Sequence, residues 1–282
     1  MRSFVLATKE FPERHTAIEI AQKLEEITTD FKVQDKVVCV VHDQASNMEL
    51  AGTLLLEEQG WNTLKCTAHC LQLCLNAGFS IPAIDRLLGA SRKLVYHFHH
   101  SVVATQALKT RQEQMNLPQN KLITACVTRW NSNYDMLSRL LEMRWPVSAV
   151  LSDETVTKRS DRYLDLKTEH WTLAEELVAV LQPFKVATVF LQYEHNSSLS
   201  CVLPVIHGLS LSLNPLTGDS SAMVTFKETV KDELKTRFQL DCIDTSSSDV
   251  LAAAVDPRFR QLKFLSDDDI SAVKEELVIF LR

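Results

Sequence analysis

Residues 37–48 read Val-Val-Cys-Val-Val-His-Asp-Gln-Ala-Ser-Asn-Met. Their apolar, β-branched first half predicts a fully buried strand, which we place at Lys36–Val41. A helix is predicted to follow directly at Ser46–Gln59, because its first residue and Glu49 have the spacing of a capping box. Asp43 therefore lies between a strand end and a helix start, where open α/β sheets place ligands and catalytic groups. An Asp at this position can also simply turn the chain out of the strand, and both interpretations stay open.

Further short motifs follow this stretch in a fixed order. They are Cys66-Thr67-Ala68-His69, Thr128-Arg129-Trp130-Asn131-Ser132, the run Leu-Ser-Cys-Val-Leu-Pro at 199–204, and Ala-Val-Asp-Pro-Arg-Phe at 254–259. Each is short, but their joint order after His42–Met48 resembles the hAT (hobo/Ac/Tam3) superfamily of DNA transposases. The resemblance is strongest to the vertebrate transposase-derived BED zinc-finger proteins, and it covers nearly the whole chain.

The resemblance implies an RNase-H-like core in which two aspartates and one glutamate hold divalent metal for phosphodiester cleavage. Asp43 matches the family's second acid. The first acid is expected before a segment like Ser3–Glu10, and no block resembling the third follows Asp256. Glu194 could replace the third acid, but its polar surroundings predict a solvated loop. We therefore expect Asp43 to be vestigial and the chain to need no cofactor, Mg²⁺ being expected only in an intact family enzyme.

The same resemblance shapes the expected function. The sequence contains no Cys-x-x-Cys followed by a His pair, as a BED zinc finger would require, and nothing resembling the family's dimerisation block. We expect a catalytically inactive, transposase-derived nuclear protein that binds DNA or other proteins, for example in transcription regulation. Two alternatives stay open: a fragment of an active transposase that cleaves and transfers strands, and a protein-interaction scaffold without DNA contact. The nuclear setting rests on the resemblance, and the cytosol is the alternative.

Arg129 and Trp130 are the candidate DNA-binding residues. By resemblance, Trp130 stacks on a base swung out of the duplex, which can recover about 1–3 kcal/mol per base. Arg129 would then meet a phosphate through charge-assisted hydrogen bonds. The alternative is that Trp130 is a large core residue at a helix start, capped by Asn131 or Ser132.

The seven cysteines show no disulfide-framework spacing, which is typical of a reducing compartment. Cys66, Cys70 and Cys74 recur every fourth residue and are expected to pack as buried thiols on one helix face. A zinc site that adds His69 is disfavoured, because His69 would project about 100° away from Cys70 around the helix. The resemblance assigns a structural role to Cys66 and His69, and we predict no metal site.

The formal net charge of −6 argues against a general nucleic-acid-binding surface. Residues 86–112, however, contain five Lys or Arg residues, three His residues and no acid. This run is either a phosphate-facing side or an ordinary solvated helix face. No apolar run reaches the ~20 residues that span a bilayer, so no membrane partner is expected.

The predicted fold class is α+β and mostly helical, with a partial RNase-H-like α/β core followed by an α-helical insertion. We place the core at residues 1–80, without its first strand, and the helical region at 81–282, with a possible hinge near 151–165. Other expected elements are listed here: an edge strand at Ser3–Glu10, a helix capped by Thr16 and Glu19, a short strand at Leu64–Cys66, a helix from Thr172 bent at Pro183, and helices at 203–213, 222–238 and 267–281.

Overall fold

The computed structural model describes residues 4–126, 128–192 and 199–280. The described helices are α1 Ala17–Asp30, α2 Ser46–Gln59, α3 Thr67–Phe79, α4 Pro82–His100, α5 Val102–Gln114, α6 Trp130–Glu142, α7 Arg144–Ser152, α8 Thr168–Gln192, α9 Val202–Ser212, α10 Ser221–Phe238, α11 Ser248–Val255 and α12 Asp267–Phe280. Short 3-10 turns lie at Gln34–Lys36, Arg159–Leu164 and Leu199–Cys201. The prediction of a mostly helical α+β chain is confirmed. Among the described residues, no helix combines the length and the apolar character needed to cross a membrane.

Two parallel strands, β1 (Cys39–His42) and β2 (Asn62–Lys65), form the sheet of the described residues, with Cys39 opposite Asn62 and His42 opposite Lys65. The prediction of a fully buried β1 is wrong, since Val41 is 63% exposed. A two-stranded sheet with helix α2 packed against it leaves alternate side chains facing outward. The strand begins at Cys39, later than predicted, and Lys36, the first residue of the predicted strand, instead ends the 3-10 turn Gln34–Lys36.

The predicted edge strand at Ser3–Glu10 is wrong for residues 4–10, which adopt no regular structure. Ser3 itself lies outside the described residues. Phe4 and Val5 are 75% and 86% exposed, so this segment does not bury the apolar face that an edge strand needs to be stable.

The N-terminus of α1 forms as predicted, because the Thr16 side chain accepts a hydrogen bond from the Glu19 backbone N–H at 3.4 Å. Helix α2 also has its predicted bounds, and Gly60 ends it with a φ of 71°, a left-handed conformation that suits glycine. Its predicted capping box is wrong. The N-cap is Ala45 without a side-chain cap, and Glu49 instead pairs with Lys65 at 3.2 Å.

The chain divides into two compact units, of which the first comprises Met1–Leu73, Ala187–Gly208 and Lys235–Arg282. Its described part has a core in which α1 packs on α2, with the side chains Ala17, Ile20, Ala21, Ala51, Leu55 and Trp61. A further cluster in this unit joins Leu203, Val250, Ala253, Leu262 and Val273. The predicted division at residue 80 stays a prediction.

The second unit comprises Cys74–Val186 and Leu209–Leu234. Helices dominate it, and the apolar faces of α4, α6 and α7 are buried at residues such as Leu87, Leu94, Met136, Leu137 and Val147.

The predicted helix start at Thr172 is wrong: α8 begins at Thr168, and the Thr172 hydroxyl donates back to the Thr168 carbonyl at 3.2 Å. Helix α8 also continues through Pro183. The predicted helices at 203–213 and 222–238 are confirmed as α9 and α10, and that at 267–281 as α12 over its described residues.

Gly78 in α3 allows a close approach of α10. A Cβ atom built on Gly78 would lie 2.5 Å from Phe226 Cε2 and 2.7 Å from Val230 Cγ2, both buried. We expect Gly78→Ala to lower the free energy of unfolding by about 1–3 kcal/mol through overpacking. Urea denaturation followed by circular dichroism measures this change.

Gly89 provides the matched control, because it lies inside helix α4 and an added Cβ would meet nothing within 4 Å. Gly89→Ala is expected to raise the free energy of unfolding by about 0.5–1 kcal/mol through helix propensity alone. Equal effects from both substitutions would contradict the close packing of α3 on α10.

Candidate functional site

Asp43 follows β1 directly, and its carboxylate is exposed. Its Oδ1 accepts a hydrogen bond from the Ala45 backbone N–H at 3.2 Å, which organises the turn into α2. His42, the last residue of β1, is buried, and its Nδ1 contacts the Asp43 carbonyl oxygen. The observed hydrogen bond is therefore that of a turn-forming Asp at the end of a strand. The predicted vestigial role of Asp43 stays a prediction.

Cys66 and His69 follow β2 in the sequence. Cys66 directly precedes α3, and His69 lies in the first turn of that helix. The Cys66 backbone N–H donates to the His42 carbonyl at 2.7 Å, which ties the end of β2 to the end of β1. The Cys66 carbonyl accepts from the Cys70 N–H at 3.0 Å, so Cys66 begins the helical hydrogen-bond ladder. His69, within α3, is half-buried. Any residue can form these backbone hydrogen bonds, so the structural role predicted for Cys66 and His69 stays a prediction.

The prediction of buried thiols is confirmed for Cys70 and Cys74, but it is wrong for Cys66, which is only half-buried. Within the first unit, Gln44 connects Cys70 to Arg237, because its Nε2 donates to Cys70 Sγ at 3.4 Å and its Oε1 accepts from Arg237 at 3.2 Å. Burial raises the pKa of the Cys70 thiol, which keeps it protonated at neutral pH. Among the residues that the structure describes, no three His, Cys, Asp or Glu side chains are arranged to hold a metal ion. Glu194 lies outside those residues.

Arg129 and Trp130 are adjacent, but their side chains lie in different environments. Arg129 is exposed and forms the N-cap of α6 without a side-chain cap, whereas Trp130 is the first residue of that helix and is only 3% exposed. Ser132 secures the turn, donating to the Arg129 carbonyl at 2.6 Å and accepting from the Cys126 N–H at 2.8 Å. A phosphate can reach Arg129 in this conformation. A base can reach Trp130 only if the ring leaves the core.

Two motifs for which the sequence suggested no role are brought together in the first unit. Asp256 and Arg258 form an ion pair at 2.7 Å, and Ser200 donates to Asp256 at 2.6 Å across 56 positions of sequence. Arg258 also lies 3.4 Å from Cys201 Sγ. The Arg258 and Ser200 hydrogen bonds hold the pKa of the Asp256 carboxyl far below its usual range. This cluster fastens the start of α9 to the end of α11.

The acid-free run of residues 86–112 forms most of α4 and α5 in the second unit. Arg86, Lys93 and His100 follow one another at seven-residue intervals, which places them on one face of α4, and all three are exposed. We call these three residues the α4 stripe. Arg111 instead forms an ion pair with Asp153 at 2.9 Å, so its charge already has an acidic partner within the protein. Only part of the basic run therefore faces outward without an acid partner.

Comparison with known proteins identifies relatives of this chain. Residues 64–180 match the family described as the ZBED1 RNase-like helical domain. Zinc finger BED domain-containing protein 6 of Homo sapiens is 30% identical over 227 residues, which are 78% of this chain and 22% of that protein. Zinc finger BED domain-containing protein 4 of Homo sapiens is 24% identical over 224 residues, 79% of this chain and 18% of that protein.

The Transposable element Hobo transposase of Drosophila melanogaster is 24% identical over 224 residues, which are 79% of this chain and 31% of that protein. The chain thus spans less than a third of the length of each of these relatives. The resemblance predicted from the order of the motifs is confirmed. Over most of its length this chain is therefore related to the BED zinc-finger proteins and to hobo transposase, and its residues 64–180 match the RNase-like helical domain.

Proposed function

We propose that this chain is a non-cleaving, transposase-derived protein that binds DNA through the α4 stripe. The observation that carries the proposal is the exposure of Arg86, Lys93 and His100 on one face of a helix whose run from residue 86 onward lacks acids. Lys and Arg side chains aligned along one helix can neutralise successive phosphates, which is the main source of sequence-independent DNA affinity. The exposed side chain of Arg129 adds a further cation of the same unit.

The non-cleaving part of the proposal rests on the geometry at Asp43. A Mg²⁺ ion requires near-octahedral oxygen ligands, and one exposed carboxylate that bonds a backbone N–H supplies too few. Within the described ranges, no second and third acid converge on Asp43. A nuclear role in transcription regulation belongs to this proposal and is supported by the relationship to the BED zinc-finger proteins alone.

Fluorescence anisotropy with a labelled duplex over a range of salt concentrations tests the proposal. We expect the double variant Arg86→Ala/Lys93→Ala to bind more weakly and to reduce the slope of log K against log salt by about 1–2. The matched control is Arg260→Ala/Lys263→Ala, which removes the same charge from two exposed side chains of the first unit. Equal losses in both double variants would mean that overall charge, rather than the α4 stripe, sets the affinity.

The same duplexes incubated with Mg²⁺ test the absence of cleavage. We expect no nicked product with the wild-type chain at any DNA end. Nicking that requires Mg²⁺ and disappears in Asp43→Ala would contradict the proposal. That outcome would favour the alternative in which this chain is part of an active transposase and the remaining acids lie elsewhere in a longer protein. A longer protein is compatible with the comparison, because the chain spans only 22% of zinc finger BED domain-containing protein 6.

A further inference from the structure

A groove in the second unit lies between the C-terminal half of α4 and the segment 154–164. Its volume is about 1040 Å³ and it is open to solvent. Sites for small ligands measure about 300–1,000 Å³ and enclose most of the ligand, so an open groove of this size suits an extended chain better than a small molecule. The groove is lined on the α4 side by Lys93, Tyr96 and His100, and opposite them by Lys158 and Tyr163.

Two tyrosine rings present exposed faces in the groove. Tyr96 is 62% exposed and Tyr163 is 74% exposed, although each ring carries a large apolar area. The Tyr96 ring stacks on His100 with 3.8 Å between ring centroids, and His100 is held in place by a 2.9 Å contact between its Nδ1 and the Tyr96 carbonyl. Tyr96 is therefore already oriented as a flat platform. A platform of this kind can accept a base of any sequence, because every base has a π-face.

The charges of the groove favour a phosphate backbone beside these rings. Lys93 and Lys158 are exposed on opposite sides, and Arg92 also lines the groove, although it lies 3.9 Å from Asp85, which does not line it. Glu154 also lines the groove, but its carboxylate is paired with Arg162 at 2.9 Å. Asp161 is the remaining acid among the lining residues and accepts a hydrogen bond from Ser160 at 3.2 Å. Cations with adjacent aromatic faces are the two features that single-stranded nucleic acid requires.

We propose that this groove binds single-stranded nucleic acid, with unpaired bases stacked on Tyr96 and Tyr163 and the phosphates between them near Lys93 and Lys158. This inference rests on the proposed function, because it specifies which form of nucleic acid binds beside α4. A base-paired duplex would contact the lysines but would hide its base faces from the tyrosines. The groove therefore predicts a preference for unpaired over paired strands.

Anisotropy titrations with labelled oligo-dT, oligo-rU and a duplex of equal length test the inference. We expect Tyr96→Ala and Tyr163→Ala each to weaken single-strand binding by about 5- to 140-fold, since a stacked base contributes about 1–3 kcal/mol and about 1.4 kcal/mol is a factor of ten. Duplex affinity is expected to change less than twofold. Phe31→Ala is the control, because it removes another exposed aromatic ring, in the first unit. The dT and rU arms decide whether the strand is DNA or RNA.

The outcomes separate the two proposals. If the tyrosine variants bind single strands as wild type does, while Arg86→Ala/Lys93→Ala still weakens duplex binding, the groove inference is overturned and the proposed function stands. If the tyrosine variants lose single-strand binding but the double variant binds duplex normally, the groove stands and duplex binding through the α4 stripe does not. An acidic peptide bound with equal affinity and equal sensitivity to Tyr96→Ala would identify a protein-docking groove and overturn the inference.

Discussion

Trp130→Ala is expected to lower the free energy of unfolding by about 3–5 kcal/mol. The Trp130 side chain is 3% exposed at the first turn of α6. Its removal creates a large cavity, and the protein also loses the transfer free energy of the buried indole ring. Urea denaturation measures the change. Trp145→Ala is the matched control, because Trp145 lies at the start of the next helix, α7, but is 67% exposed. We expect its effect to stay within about 1 kcal/mol.

This prediction decides how the candidate DNA contact at Arg129 and Trp130 can be tested. A Trp130→Ala chain that loses DNA binding because it is partly unfolded would say nothing about base stacking. Arg129→Ala is the more informative variant, since the exposed Arg129 side chain can be removed with little effect on the core. If Trp130→Ala kept wild-type stability but lost DNA binding, the ring would have to spend time outside the core, and the base-stacking interpretation would be favoured.

Local signals in the sequence predicted several elements well. Helix α2 has its predicted bounds because Gly60 is a strong terminator, and Thr16 caps α1 because its hydroxyl reaches the Glu19 N–H. The capping box of α2 does not form because Ala45 is the N-cap, so that Ser46 already lies inside the helix and the Glu49 N–H donates to the Ala45 carbonyl. The end of α2 and the start of α1 each depend on one strong local signal. The start of α2 depends on which of two neighbouring residues becomes the N-cap, and spacing alone does not decide this.

Burial was harder to predict, because it depends on what covers each face. The β-branched run of β1 has the composition of a central strand, yet Val41 is exposed because the described sheet has only two strands. The Asp256–Ser200 contact spans 56 positions and has no signal in either motif taken alone. The sequence indicated one wall of the groove only, through the run of cations in residues 86–112. Its opposite wall, at 154–164, is distant in sequence and was predicted as a loop or hinge.

A buried ion pair in the second unit had no counterpart among the sequence predictions. Lys227 in α10 is 1% exposed, and its Nζ lies 2.6 Å from Asp219 Oδ2. The carboxylate also accepts a hydrogen bond from the Leu216 N–H at 2.7 Å. Both charges are therefore satisfied inside the protein, and the pair is stable only as long as both partners are present. Removal of one partner leaves a buried charge without compensation.

We expect Asp219→Ala to lower the free energy of unfolding at pH 7 by about 3–5 kcal/mol, because the Lys227 ammonium then remains buried and unpaired. The Leu216 hydrogen bond and, next, Lys227 lower the pKa of Asp219 below its ordinary value. Since the pKa is lowered by folding, the stabilisation is present above the ordinary Asp value of about 3.9 and is lost as the pH falls below it. The difference between wild type and Asp219→Ala should therefore shrink between pH 7 and pH 3.

Lys231→Ala separates burial from charge, because Lys231 lies one turn further along α10, is only half-buried and donates to Asn214 Oδ1 at 2.7 Å in a solvent-exposed hydrogen bond. Its loss is expected to change stability by about 0.5 kcal/mol or less at either pH. Urea denaturation of the three chains at pH 7 and pH 3 gives the comparison. A cost below 1 kcal/mol for Asp219→Ala at pH 7 would mean that water reaches Lys227 once its partner is gone, so that the pair contributes no more than a surface ion pair. A large cost that stays the same at both pH values would contradict the lowered pKa of Asp219.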